Sequence, residues 1–383
     1  MPKVLLDVTR LVSRLSNRLH PTGVDRVGIA YIQRYERNAR AVLSIKGFSA
    51  VLAERHSRHI FDLILSSNRN RGALMKLLGC ALTNWQNRNQ FAESVLLHTS
   101  HNGMEFDRYF SAMARRHVRT VFMVHDLIPL THAEYCRPGV DLIHRRRIRT
   151  ALTRAGGLVA NSQATLDELA AEARRSKLSL PPSVVARLAP AVPNYAPAPR
   201  PLDVPYFVML GTIEPRKNHW FILHLWRRLA EQFGTTAPHL VIVGRRGWEC
   251  ENVIDMLDRC VELRGTVHEE SNCSDERLHA LLQHAQALLF PSFVEGYGLP
   301  LVEALMLQVP VIASDLPIFR EIAANIPDYL DPLDGPGWLN RISAYMRPDS
   351  PERAAQIARI AHFRVPTWSE HFDRIDAFLD SLG

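Results

Sequence analysis

The sequence predicts an α/β protein built from two parallel sheets. Three features carry that expectation. Strand-like apolar runs alternate with helical patterns through both halves of the chain. A proline-dense stretch, Ala189 to Pro201, divides the 383 residues nearly in half and favours a stiff, extended connection over helix or central strand. In the second half, the apolar run Ala287 to Phe290 breaks at Pro291-Ser292, enters a loop containing Gly296 and Gly298, and restarts as an apolar helix at Pro300. That is a strand–loop–helix unit, with proline at a favoured first-turn position.

In the first half the expected strands are Val4–Val8, Ala41–Ile45, Val95–Thr99, Thr120–Val124 and Leu158–Asn161. In the second they are Tyr206–Leu210, Leu240–Gly244, Ala287–Phe290 and Val309–Ala313. Helices are expected over Asn218–Phe233, Asp275–Ala285 and Pro300–Gln308, with an amphipathic segment from Ser369 to Leu382. Thr22 and Asp25 have capping-box spacing at the start of a helix running toward Arg37. The polar stretch Ser66–Arg71 reads as a mobile loop. The domains are therefore expected at 1–190 and 205–365, joined by a linker at 191–204 and followed by a helix within 366–383.

Composition narrows the class. A hydrophobic content of 46% suffices for ordinary cores, and no run reaches the roughly 18 apolar residues of a spanning helix. The opening Met1-Pro2-Lys3-Val4-Leu5-Leu6-Asp7 reads as a first strand rather than a signal peptide. Five cysteines without a C-x-x-C pair favour reduced thiols over a disulfide framework or zinc site. Charge is lopsided: residues 1–190 hold 29 Lys/Arg against 14 Asp/Glu, and the remainder 17 against 25. A basic half implies an anionic partner, unless its arginines form a solvated surface. No nucleic-acid motif or aromatic stripe interleaves with the arginines, so nucleic acid is not expected as that partner.

The segment Phe290–Ala304 places Glu295 in the loop and Glu303 on the helix about two turns later. Its glycines let backbone N–H groups approach a ligand, and a helix N-terminus favours negative charge. Together with Gly211-Thr212-Ile213-Glu214-Pro215-Arg216-Lys217-Asn218, Thr22-Gly23-Val24-Asp25-Arg26-Val27 and His125-Asp126, all four falling along the chain in family order, it resembles the family 4 retaining glycosyltransferases over nearly the whole chain. The resemblance implies the GT-B fold: two facing Rossmann-like domains, the first on the acceptor side, with a C-terminal helix crossing back to it. Closest in look are bacterial O-antigen and exopolysaccharide mannosyltransferases.

What this implies for individual residues is specific. Arg216 and Lys217, with helix N–H groups and Gly23, would bind the donor diphosphate; the alternatives are solvated cations and a plain capped helix. Thr212 stands where many relatives have arginine. Glu303 would accept from the ribose hydroxyls, and Gly296, Tyr297, Gly298 and Leu299 would hold the sugar. Gly244 and Arg245 would lie beside the base, with Trp248 as packing. Glu295, His125 and Asp126 are the catalytic candidates, Asp126 either orienting His125 or facing the acceptor. Asp7 and His98 to Asn102 would line the acceptor cleft.

No Asp-x-Asp is present, so no metal and no cofactor are expected. The expected substrates are a nucleotide-sugar, GDP-mannose first, and a glycan or polyprenyl-diphosphate-linked acceptor. UDP- or dTDP-sugar donors, a nucleotide-sugar 2-epimerase and a catalytically silent subunit are the alternatives. Arg145, Arg146, Arg147, Arg149 and Arg154, with Arg10, Arg14 and Arg18, suggest docking on the anionic inner face of the cytoplasmic membrane. The expected location is cytoplasmic and peripheral.

Overall fold

The structure, a computed structural model, describes residues 3–17, 19, 21–66, 91–190 and 198–382. The chain forms two compact units. The first comprises 1–130, 139–188 and 366–383, and the second 131–138 and 189–365.

The first unit is a seven-stranded sheet. Its strands are β1 (Val4–Asp7), β2 (Ala39–Ile45), β3 (Phe48–Val51), β4 (Val95–His98), β5 (Arg119–Val124), β6 (Gly157–Ala160) and β7 (Ser183–Val185), in the order β3-β2-β1-β4-β5-β6-β7. Only β3 is antiparallel. The interior strands β4 and β6 are buried at every residue, as expected where helices cover both faces. Around them lie α1 (Thr9–Ser16), α2 (Gly23–Tyr35), α3 (Glu54–Leu65), α4 (Asp107–Ala114), α5 (Val140–Arg154) and α6 (Gln163–Arg175).

The second unit has six parallel strands: β8 (Tyr206–Leu210), β9 (His239–Val243), β10 (Val267–Glu270), β11 (Leu288–Phe290), β12 (Val311–Ser314) and β13 (Asp328–Leu330). Their order is β10-β9-β8-β11-β12-β13. This is the doubly wound arrangement, in which strand order reverses between β8 and β11 and ligands bind outside the carboxyl ends at that reversal. Helices α7 (His219–Phe233), α8 (Glu251–Arg259), α9 (Asp275–Gln283), α10 (Leu299–Met306), α11 (Pro317–Ala323), α12 (Gly335–Met346) and α13 (Pro351–Ile360) cover the faces. The core beneath α7 is built on Trp226, Phe207, Trp338 and Tyr345, all fully buried.

The final helix, α14 (Trp368–Ser381), belongs to the first unit. Thr367 caps it, accepting from the Glu370 amide at 3.2 Å. Tyr35 donates to Asp376 at 2.6 Å, and Tyr31 meets His371 Nε2 at 3.0 Å. His371 donates from Nδ1 to the Arg187 carbonyl at 3.0 Å, which fixes its tautomer.

Two sequence expectations are revised. The segment 131–138, assigned to the N-terminal domain, packs with the second unit. Tyr135 stacks on Phe293 (5.3 Å, 4°), the Trp248 indole donates to the Tyr135 carbonyl at 3.4 Å, and Arg137 lies over the Trp248 ring. The strands β3, β7, β10 and β13 were not foreseen. The expected linker 191–204 falls partly, and the Ser66–Arg71 loop almost wholly, outside the described residues.

Candidate functional site

In the second unit two loops meet where the strand order reverses: Gly211–Asn218 after β8 and Pro291–Gly298 after β11. Asn218, in the left-handed region (φ 59°), ties them by donating to the carbonyls of Pro291 (3.2 Å) and Pro332 (2.9 Å). The Phe293 amide donates to the Arg216 carbonyl at 2.9 Å. The loops therefore form one braced surface.

On that surface Glu295 binds both foreseen cations. Lys217 Nζ lies 2.6 Å from Oε1, Arg216 lies 2.8 Å from Oε2, and the Ser292 hydroxyl donates to Oε1 at 2.7 Å. Burial pushes the Glu295 carboxyl up, but Arg216 and Lys217 outweigh it and carry it down to about 2. Burial pulls Lys217 below its usual value, against the Glu295 charge. Arg216 also holds Glu214 at 2.6 Å. Glu214 is buried, and burial pushes its carboxyl up against the opposing pull of Arg216 and Lys217. Sequence reading passed over Glu214 and Ser292 as site residues. Their signal was position, since both lie within the matched loops.

Glycine is required at two of the named positions. Gly298 precedes α10 with φ +109°, and a Cβ there would meet Phe319 at 2.8 Å. At Gly244 a Cβ would sit 1.9 Å from the Gly211 carbonyl oxygen, so this glycine lets the β8 and β9 loops touch. Ile213 and Arg246 complete that junction as a parallel bridge. Arg246 is committed to Asp258 (2.6 Å) and Glu269 (2.9 Å), whereas Arg245 is exposed. Glu303 and Tyr297 are buried; Gly296 and Leu299 are half-buried at the mouth of α10.

In the first unit, His125 and Asp126 follow β5 at its carboxyl end. His125 donates from Nε2 to the Thr99 carbonyl at 2.8 Å, so that carbonyl, and not Asp126, orients the ring. The Asp126 carboxylate accepts from the Ile128 amide at 3.2 Å. His101 Nε2 accepts the His125 amide at 3.0 Å, and His144 Nε2 donates to the Asp126 carbonyl oxygen at 3.2 Å. One ligand atom each from His101, Asp126 and His144 falls within 4.8 Å of the others. For a cation, the His144 arrangement is favourable: Nε2 is anchored by a carbonyl and Nδ1 is left as the ligand atom. His101 is unfavourable, because the lone pair on Nε2 already accepts an amide. Burial, then His144 and His125, hold His101 well below its usual value.

Gly23 opens α2 beside a charge cluster not foreseen in this form. Asp25, 1% exposed, accepts from the Thr22 amide and hydroxyl at 2.7 Å and pairs with Arg10 (2.7 Å) and Arg14 (2.6 Å). Arg10 and Arg14 are thereby committed to this helix start, which corrects their reading as lipid-facing cations. Arg147 and Arg154 are likewise held, by Glu105 (2.9 Å) and Asp107 (2.6 Å). Arg18 lies outside the described residues. Asp7 and His98 are engaged within the first unit. Asp7 accepts from Tyr109 and the Thr9 amide, and His98 is buried among Tyr109, Phe110 and Phe122.

Two Rossmann-like units, each built on a parallel sheet covered by helices, make this a GT-B fold. The fold agrees with that of Anabaena Alr3699/HepE in complex with UDP (TM-score 0.67, 14% identity, all of both chains). It also agrees with sucrose-phosphate synthase from Thermosynechococcus elongatus (TM-score 0.65, 13% identity, 100% of this chain and 99% of that one). Residues 195–326 match the family model Glycosyl transferases group 1, and the second unit carries a domain of that family.

Among curated relatives, the chain is 29% identical over 245 residues to the serotype-specific mannosyltransferase WbdA of Escherichia coli, covering 59% of this chain and 29% of WbdA. It is 30% identical over 137 residues to the O-antigen chain mannosyltransferase RfbU of Salmonella typhimurium, covering 36% and 37%. The chain thus spans under a third of the length of WbdA.

Proposed function

We propose that this chain is a retaining glycosyltransferase that moves a sugar, mannose from GDP-mannose as the leading case, onto a glycan or polyprenyl-diphosphate-linked hydroxyl. The carrying observation is the Arg216–Lys217–Glu295 cluster at the strand reversal. Two cations there can neutralise a departing diphosphate. Glu295, kept ionised, can hold a donor-sugar hydroxyl or support a developing oxocarbenium charge. Glu303 accepts from the ribose, and Gly244 with Arg245 flank the base. His125, held neutral by burial and anchored on the Thr99 carbonyl at the carboxyl end of β5, is the candidate sugar contact from the first unit. The mannosyltransferase names of the relatives support the choice of sugar. Donor neutralisation by side chains makes the reaction metal-independent; loss of transfer in EDTA, restored by a divalent ion, contradicts this.

Membrane docking rests on α5. Leu142 (61% exposed) and Ile143 (41%) adjoin the exposed Arg145, Arg146 and Arg149, a combination suited to an anionic lipid surface. Among the described residues no helix is long and apolar enough to cross a membrane.

A nucleotide-sugar panel with the purified protein tests the reading. Thermal stabilisation and slow diphosphate release with GDP-mannose support it. Preference for a UDP- or dTDP-sugar replaces the named sugar but keeps the reaction. Release without acceptor and with 2-epimer formation favours the epimerase. Failure to bind any donor favours a silent subunit.

A further inference from the structure

The two cations assigned to the diphosphate are not free charges. Arg216 bridges Glu214 (2.6 Å) and Glu295 (2.8 Å), and Lys217 adds a second bond to Glu295 (2.6 Å). Two cations and two carboxylates make a cluster with no net charge. Both carboxylates are shielded from water: Glu214 is 4% exposed and the Glu295 side chain 7%. A sugar-linked nucleoside diphosphate brings two further negative charges. Buried charge is costly unless paired, and a buried carboxyl that loses its partner takes up a proton instead.

We propose that donor binding at this site takes up a proton, and that Glu214 accepts it as the diphosphate draws Arg216 away. This rests on the reading of the cluster as the donor-diphosphate site. The two carboxylates are not equivalent. If Arg216 turns toward phosphate, Glu295 keeps Lys217 and the Ser292 hydroxyl at 2.7 Å. Glu214 keeps no ion-pair partner among the described residues, because its ion pair there is with Arg216. The charged groups facing it are Arg216, Lys217 and Glu295. Lys217 is engaged by Glu295, and Glu295 repels a Glu214 carboxylate. Across the β9 loop, Arg246 is committed to Asp258 and Glu269. Burial already pushes the Glu214 carboxyl up, so the step it must take is short. Glu214 acts through Arg216 and is a positioning residue: protonated, it frees the guanidinium for phosphate.

Isothermal titration with GDP-mannose, in buffers of different ionisation enthalpy near pH 7.5, counts the protons. The sugar diphosphate is esterified at both ends and does not itself titrate there. Wild type should take up close to one proton, and its affinity should weaken with rising pH by up to about tenfold per pH unit. Glu214→Gln, checked for folding by circular dichroism, should take up none and bind with a flat pH profile, more tightly than wild type near pH 8. Binding by wild type without proton uptake overturns the proposal, a result that needs no variant. Uptake that survives Glu214→Gln and disappears in Glu295→Gln overturns the assignment to Glu214. Failure of GDP-mannose, UDP-glucose and dTDP-rhamnose alike to bind instead overturns the donor-site reading beneath it.

Discussion

Glu295 neutralises Lys217 and Arg216 and is the residue proposed to lie beside the donor sugar, so its removal has two expected consequences of opposite sign. Glu295→Ala should lower kcat by a factor on the order of 100, comparable to loss of one preorganised electrostatic contact. The same change leaves Lys217 unopposed and Arg216 paired with Glu214 alone, and should hold or tighten the affinity for GDP. Glu303→Ala should do the reverse, weakening GDP binding by about tenfold with a smaller effect on kcat. Steady-state kinetics with nucleotide titrations separate the two, and the opposite pattern contradicts the assigned roles. Gly244→Ala tests the loop junction. Its Cβ would collide with backbone, which cannot rotate away as a side chain can, so a loss of roughly 1–3 kcal/mol is expected in urea unfolding.

At the scale of elements, α14 is held to α2 by bonds of unequal worth. Arg34 pairs with Asp376 but is 42% exposed on its side chain, and exposed pairs contribute about 0–1 kcal/mol. Tyr35 donates to the same carboxylate from a buried position, and a hydrogen bond to a charged group contributes roughly 1.5–3 kcal/mol. Tyr35→Phe should therefore destabilise more than Arg34→Ala, as measured by urea midpoints. Equal losses would mean that the ion pair is not screened. Helix α5 makes a different prediction. Leu142 and Ile143 are exposed, so Leu142→Asp/Ile143→Asp should lower flotation with anionic liposomes about tenfold and leave the melting temperature almost unchanged. Flotation unaffected by the change, by salt and by anionic lipid content rules out docking through this face.

Over the whole molecule, buried histidines set the response to acid. Burial lowers His371 from 6.5 to about 4, and burial with the Lys217 charge lowers His219 to about 3. His98, His101 and His125 are shifted the same way, first of all by burial. Each is lower folded than unfolded, so the unfolded chain binds more protons as pH falls. The stability these groups contribute is complete above about pH 6.5 and is lost as pH drops toward 4. Glu295, also depressed when folded, adds a loss in the same direction below about pH 4.5. His371 alone accounts for a decline on the order of 3 kcal/mol. Urea midpoints taken from pH 8 to pH 4.5 should fall steadily, and His371→Gln should flatten part of that fall. A maximum near pH 5 would contradict this account.

What the sequence by itself determined is whatever is written locally. Central strands such as β4 and β11 are continuous apolar runs because both faces are covered, and they were legible for that reason. The loop glycines, Arg216, Lys217, Glu295 and the Thr22–Asp25 cap were legible too, because short spacing fixes their positions. The edge strands were not. Val267-His268-Glu269-Glu270 and Asp328-Tyr329-Leu330 are only half-buried, and such positions need no apolar run. Only the tertiary structure decided which charges cancel. Arg10 and Arg14 look like surface cations until Asp25 is placed between them, and Glu214 looks like an ordinary loop acid until it is buried against Arg216. It likewise decided that residues 131–138 pack with the second unit through Tyr135, Phe293 and Trp248. Burial and ion-pair geometry depend on how segments distant in the chain pack around these residues, and no local pattern records that packing.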